Sequence, residues 1–402
     1  MLCLLGIGLL TFFSCVSDRE TLLTFSITET GGLDRPLEYV TVRVPVHENF
    51  DASRGIGIRE IAGDSVTAAQ ILDTLILQSG QKILHCLFPV SIQANSTRTF
   101  HVVNRMGSLY GDALKYDGGG INITIENDYF IADLTDKKAT AENGLGSGQL
   151  AGLTLKKSGN KLLERRHINM HWAPNFQKEE LDYKTFGHIL NPDSLGIIRG
   201  PYSFSLYRSG SIEGYDEILV KCRYDFYAGL PYFLFSSEIL IRQDVALFLL
   251  RNDEMTMDSL FTHVIYPDPD DMARTIDLYD GEGIDMLEED PIPDDVPWLY
   301  FNNEPHGYAF GSIRLKYDNT NLDGQPSPLY KEHTKISRST WNGRYWNRRL
   351  IHDQVTLIPQ GSRYQSENAY LVFSNQGEDA SGIIRKYRER LLNPLQIKYL
   401  ED

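Results

Sequence analysis

Cysteine is scarce, four in 402 residues, and two of the four, Cys3 and Cys15, fall within the first fifteen positions. The other two, Cys86 and Cys222, stand in apolar alternations (ILHCLF and LVKCRY), where a small buried thiol is the ordinary occupant. There is no C-x-x-C pair and no Cys/His ladder, which removes zinc-ribbon and dithiol readings. A chain of this length buries enough core to fold without such staples. Positive charge is also short. Lys and Arg number 39 against 54 Asp and Glu, a net charge of −15, and no basic block appears. That excludes the phosphate-tracking surface of a nucleic-acid binder. No G-x-S-x-G elbow, P-loop or G-x-G-x-x-G is present, which sets aside serine-hydrolase, nucleotide-dependent and dinucleotide-dependent chemistry. Long apolar runs are lacking too. The run at the start, MLCLLGIGLLTFFS, covers residues 1–14 and is shorter than the ~20 residues a membrane-spanning helix needs.

That run has the size of the apolar region of an export signal. Ser14 directly before Cys15 resembles the cleavage box of bacterial lipoproteins, in which the cysteine becomes the lipidated N-terminus. Phe12 departs from the usual leucine, and no basic residue precedes the run. The expectation is a signal over residues 1–15, lipidation at Cys15 and export to the cell envelope (outer membrane or periplasm). Membrane contact would then be through the lipid anchor alone. Plain secretion and a buried N-terminal strand are the alternatives.

What is present reads as strands. The composition, 42% hydrophobic and 23% charged, is that of a globular chain of two to three units. In EYVTVRVPVHE, Val40, Val42, Val44 and Val46 take every second position, the period of a half-buried strand. Residues 83–90 and 97–103 repeat the pattern around the turn-like QANST, and the flanks of AAQILDT favour a strand there as well. Residues 21–105 therefore form a small antiparallel β-sandwich. After the Gly-rich YDGGG at 116–120, INITIENDYFIADLT alternates Ile121, Ile123 and Ile125. The clearest hairpin is 218–227 and 232–241 around Ala-Gly-Leu-Pro. Regular strands without intervening helical patterns indicate an all-β chain. One helix is expected at the end, in ASGIIRKYRERLLNP, with Ile383, Ile384, Tyr387 and Leu391 on one face and Pro394 just beyond. The acid- and Pro-rich stretch 266–296 reads as a surface excursion. Its Asp268, Asp270 and Asp271 make calcium the only cofactor in view, although no D-x-D-x-D-G loop is present.

The order of these elements, a small sandwich, then ENDYFIADLT and GQLAGLTLKK, then long strands around YDFYAGLPYF, resembles the galactose-mutarotase-like supersandwich. That fold occurs in sugar epimerases, glycoside hydrolases and polysaccharide lyases. The resemblance covers about residues 106–375 and lies in strand types and turns, so it carries over no catalytic residue. It implies a large antiparallel supersandwich over 106–402, ended by the short helix. With the lipoprotein-like leader, it also implies an exported protein acting on glycans.

Two clusters offer chemistry. In Arg165–Arg166–His167–Ile168–Asn169–Met170–His171–Trp172, a strand would set His167, Asn169 and His171 on one face, beside Trp172. On a strand the two rings of HxxxH stand roughly 13 Å apart, too far to share a metal. The second cluster, Asn342–Gly343–Arg344–Tyr345–Trp346–Asn347–Arg348–Arg349 with His352 and Asp353, joins guanidinium forks to aromatics. Such forks suit the planar carboxylate of a uronic acid. The leading function is a polysaccharide lyase that cleaves an acidic polysaccharide or oligosaccharide by β-elimination. Arg344 or Arg349 would neutralise the carboxylate, His167, His171 or Tyr345 would be acid and base, and Asn169, Trp172 and Trp346 would bind the sugar. The alternatives are a glycoside hydrolase, which needs two carboxylates ~5–9.5 Å apart, an epimerase with Glu238 or Glu304 as base, and a non-catalytic surface glycan binder. The two clusters are expected to line one cleft on the larger sandwich.

Overall fold

The computed structural model describes residues 21–48, 50–134, 148–156, 161–162, 169–257, 259–339, 342–375 and 379–400. Cys15 and His167 lie outside the described residues. Every named sheet is antiparallel, and only two α-helices occur among the described residues.

In the first sandwich the strand Arg35–Val46 buries Val40, Val42, Val44 and Val46 and exposes Thr41, Arg43 and Pro45. It pairs with Lys82–Ile92, Val42 opposite Cys86 and Val44 opposite Leu84, and Gln70–Ile76 closes this three-stranded sheet. The facing five-stranded sheet contributes Phe25, Phe100 and Val102 to one apolar core, with the Phe25 and Phe100 rings stacked at 5.6 Å. Its outermost strand is the chain's last, Gln396–Leu400, laid antiparallel on Thr21–Thr28. A division at 105/106 does not foresee this return, because a five-residue alternation says nothing about which sheet it will join. Arg35 fastens it, donating to Glu29 (3.2 Å), Glu38 (3.1 Å) and the backbone oxygen of Arg390 in the helix that precedes the last strand.

The larger sandwich is built on a nine-stranded sheet running from Ser194–Arg199 at one edge to Ala273–Asp277 at the other. Its hairpin Tyr215–Tyr227 and Tyr232–Ile241 turns through Gly229 at a φ of 65°, a left-handed position that glycine occupies without strain. The period of two divides each strand between two cores. Phe233, Phe310 and Tyr370 point inward onto two five-stranded sheets, while their neighbours Tyr232, Ala309 and Leu371 point outward beneath the helix Ala380–Leu392. Asp379 caps that helix by accepting from Ser381 N–H, and Ile384 is buried with Ile383, Tyr387 and Leu391 packed around it. The acidic excursion is a surface segment but a structured one, holding the edge strand Ala273–Asp277 and the helix Gly281–Glu289 capped by Asp280. Asp268 accepts from the backbone N–H of Asp270 and Met272, and Asp271 faces Arg385. No group of three or more ligating side chains converges among the described residues. Cys86 and Cys222 are buried free thiols.

Candidate functional site

One of the inner five-stranded sheets carries the polar chemistry. Its centre is the pair Val245–Met257 and Arg344–Ile358, with Arg251 opposite Arg349, Glu254 opposite Asn347 and Met255 opposite Trp346. His333–Arg338 lies beyond the second strand, with His333 opposite Arg349 and Lys335 opposite Asn347. Asn175–Gln177 lies beyond the first, Asn175 opposite Arg251, and His171 forms a bridge to Met255. Both segments singled out from the sequence therefore flank the same strand. The pleat then separates their side chains, because successive residues leave opposite faces.

The inward face takes His171, Trp346 and Arg344. His171 and Trp346 have no exposed surface. The imidazole is hydrogen-bonded through Nδ1 to the Tyr224 hydroxyl and packs edge-on against Phe235 at 4.4 Å. Burial lowers its pKa to about 3, so it is neutral in the fold. Trp346 donates Nε1–H to Asp253 Oδ1 at 3.0 Å. Arg344 donates Nε–H to the Leu278 oxygen (2.6 Å) and Nη1–H to the Gly343 oxygen (2.9 Å), over the Tyr279 ring. His171 and Trp346 cannot meet a dissolved sugar, so the roles expected for them are corrected to structural ones, while Arg344 is held by backbone oxygens away from the Arg251–Arg349 pair. Asn169 is nearly buried and donates to Gln149 Oε1 at 3.3 Å. The stretch from Asn169 to His171 is not a regular strand, so the expected row of side chains on one face does not form there.

The outward face takes Trp172, Tyr345 and Arg349 and adds residues that sequence reasoning missed: Asn175, Tyr183, Arg251, Glu254 and His333. Glu254 Oε2 accepts from Arg251 Nη1 (2.9 Å) and Asn175 Nδ2 (3.2 Å). The Arg251 guanidinium lies under the Tyr183 ring, 5.6 Å from its centre, and Tyr183 in turn meets Trp172 at 5.8 Å. Burial and the Glu254 carboxylate push the Tyr183 phenol well up. Arg349 donates Nε–H to Asn347 Oδ1 at 2.8 Å, and its Nη1 contacts His352. Burial, then the Arg251 charge across the strand pair, lower its pKa to about 10. Burial and Arg349 together bring His352 down to about 4, and His333 is lowered chiefly by burial. The two imidazoles meet edge-on at 4.8 Å and open onto a cleft of about 430 Å³ that also includes Lys331, Lys335 and Glu288. Trp172, Tyr183, Tyr345 and His352 are half-buried, so the face is shielded but not sealed.

The missed residues had a signal. Arg251-Asn252-Asp253-Glu254 interrupts an otherwise apolar strand, LFLLRNDEMTM, and a run of four polar groups inside a sheet must find partners. The epimerase candidates belong elsewhere. Glu238 bonds Lys221 and Gln365 on the nine-stranded sheet, and Glu304 opens the short turn Glu304–His306. Among the described residues, the carboxylates paired with these arginines are Glu254 with Arg251 and the exposed Asp353 with Arg349.

The architecture is one that glycosidases use. An α-mannosidase from Enterococcus faecalis V583 superposes with a TM-score of 0.53 at 10% identity, over 94% of this chain and 46% of that one. A glycosyl hydrolase family 38 protein from Enterococcus faecalis gives 0.53 at 9% identity, over 96% and 48%. At this identity the likeness is one of fold, and the chain spans about half the length of these proteins. No family model matches the chain, and no curated protein matches it in sequence.

Proposed function

We propose that the outer face around Arg251, Glu254, Tyr345 and Arg349 binds an acidic glycan and cleaves it as a lyase. The observation that supports this is the arginine pair. Arg251 and Arg349 stand opposite each other on adjacent strands, each less than a tenth exposed, with Glu254 bonded to one of them. Burial, then the Arg251 charge, lower the pKa of Arg349, and a bound carboxylate would offset both. In a chain of net charge −15, an anionic ligand needs a local concentration of cations, and guanidinium forks match a sugar carboxylate. With that carboxylate neutralised, the C5–H bond of a uronic acid is acidified. His352, neutral at pH 7, takes the proton, the electron pair forms the C4–C5 double bond, and the C4–O bond breaks. The imidazolium so formed, held beside Arg349, returns that proton to the departing oxygen. A hydrolase is less well served, since Glu254 is committed to Arg251 and Asn175 and Asp353 is exposed.

The test is incubation with a panel of uronic-acid polymers while following ultraviolet absorbance of the unsaturated product. New reducing ends without unsaturation would point to a hydrolase. Binding without any cleavage would point to a glycan-binding unit. We propose with it that Cys15 carries a lipid anchor and that the protein works at the cell envelope. Intact mass of membrane-extracted protein decides this, and retention of Met1 would refute it.

A further inference from the structure

The nine-stranded sheet stops at Ser194–Arg199 (SLGIIR), which pairs with Ser203–Ile212 and, among the described residues, with no strand on its other side. One face of this strand continues the sandwich interior. Ile197 stands opposite Leu206 and Arg199 opposite Phe204, and both partners are buried in the larger core. Yet Leu195 and Ile197 are 46% and 39% exposed, because the facing layer does not reach beneath them. The same residues present their backbone to solvent. Gly200 N–H donates to the Ser203 oxygen at 3.0 Å, so by antiparallel alternation the N–H and C=O groups of Leu195, Ile197 and Arg199 point away from the sheet. Edge strands are normally blunted by lysine, proline or a bulge. This one has no lysine, proline or bulge over its six residues, and its single charge, Arg199, sits at the end of the strand.

We propose that this edge is a dimer interface, at which a second copy of the chain adds its own 194–199 strand antiparallel about a two-fold axis. One register satisfies side chains and backbone together. With Gly196 opposite its symmetry mate, Leu195 meets Ile197 and Asp193 meets Arg199, each contact occurring twice. Asp193 is exposed in the bend immediately before the strand, two residues from Leu195, so in this register its carboxylate lies within reach of the partner's Arg199 at each end of the apolar pairs. The guanidinium of Arg199 rests 4.3 Å above the Tyr116 ring, which holds it at the edge. On the axis the two glycines form the narrow, non-hydrogen-bonded kind of pair, with Cα atoms only ~4.5 Å apart. A Cβ there would have nothing nearer than Tyr207 at 3.9 Å within its own chain, so the close approach is open. A slip of one residue would put Asp193 opposite Gly200 and lose both ion pairs.

Sedimentation of the full chain over a concentration series tests this. A monomer–dimer equilibrium is expected, abolished by Leu195→Lys with Ile197→Lys, two exposed positions where the fold, checked by circular dichroism, should survive. Asp193→Arg should weaken self-association about tenfold through two like-charge contacts. The double variant D193R/R199D should restore it, and a mixture of the two single variants should form heterodimers. A monomer at every concentration overturns the proposal, as does a dimer indifferent to the lysine pair. Failure of the charge swap to restore association overturns it too.

Discussion

Asp253 and Glu254 are consecutive on the strand Val245–Met257, and their carboxylates leave it on opposite faces of one sheet. Asp253 points into the sandwich, has no exposed surface and accepts from Trp346 Nε1 (3.0 Å), the Tyr370 hydroxyl (3.0 Å), Ser312 Oγ (3.1 Å) and Asn368 Nδ2 (3.3 Å). Its acceptor capacity is used up by the protein. Glu254 takes its two hydrogen bonds at one oxygen, from Arg251 and Asn175, beside the half-buried Tyr183. The inner cluster spends its polarity on holding strands together. The outer one keeps charge and hydrogen-bonding capacity that a ligand can use, which distinguishes a structural network from a candidate site when both are almost dry.

The comparison breaks most visibly at Asp253. Asp253→Ala strands a tryptophan, a tyrosine and an asparagine donor in the interior and should cost about 3–5 kcal/mol in urea unfolding. A loss below about 1 kcal/mol would show that the inner network is dispensable. Next in size is a pH effect at His171. Its folded pKa of about 3 lies below the ordinary value near 6.5, so the unfolded chain takes the proton first as pH falls. Stability from this group is whole above pH about 6.5 and declines as pH falls toward 3, by ~3 kcal/mol at pH 4. His171→Phe, in a nest of aromatic rings, should flatten that slope, read as the difference between variant and parent at pH 7 and pH 4.5.

On the outer face the expected losses are of function. Arg349→Ala should lower turnover of the true substrate about a hundredfold, equal to ~2.7 kcal/mol of transition-state stabilisation. Its stability should change by no more than about 1 kcal/mol, because removal of the charge also relieves its repulsion with Arg251. Full activity in this variant would remove the arginine pair from the mechanism. Smallest is Trp172→Ala, expected to weaken glycan binding about tenfold by loss of an aromatic surface, with turnover at saturation little changed. A fall in turnover with unchanged affinity would show instead that Trp172 orders the loop around Asn169 and Asn175, which it contacts through Nε1 and its backbone oxygen.

Much of the fold was legible because strands announce themselves locally. The four alternating valines of 40–46 and the hairpin at 232–241 could be read residue by residue, the first strand of that hairpin beginning three residues earlier, at Tyr215. The site was legible only in part. RYWNRRL already holds the period that sends Arg344, Trp346 and Arg348 to one face and Tyr345, Asn347 and Arg349 to the other, so the three arginines could not act as one patch. Which of those faces looks outward depends on the layer lying across the sheet. The irregularities in the 245–257 strand, where the pairing shifts between Arg251 and Asp253, change the parity again.

The chain's own residues determined the all-β class, the alternation of each strand, the capped terminal helix and the acidic balance, since these follow from side-chain period, turn chemistry and charge along a short stretch. Tertiary structure alone decided that Gln396–Leu400 returns to the first sheet, that Arg251 meets Arg349, and that His171 faces a dry interior while Trp172 does not. Those outcomes depend on pairings between segments tens to hundreds of residues apart. A period-two strand has two equivalent faces until a second layer covers one of them.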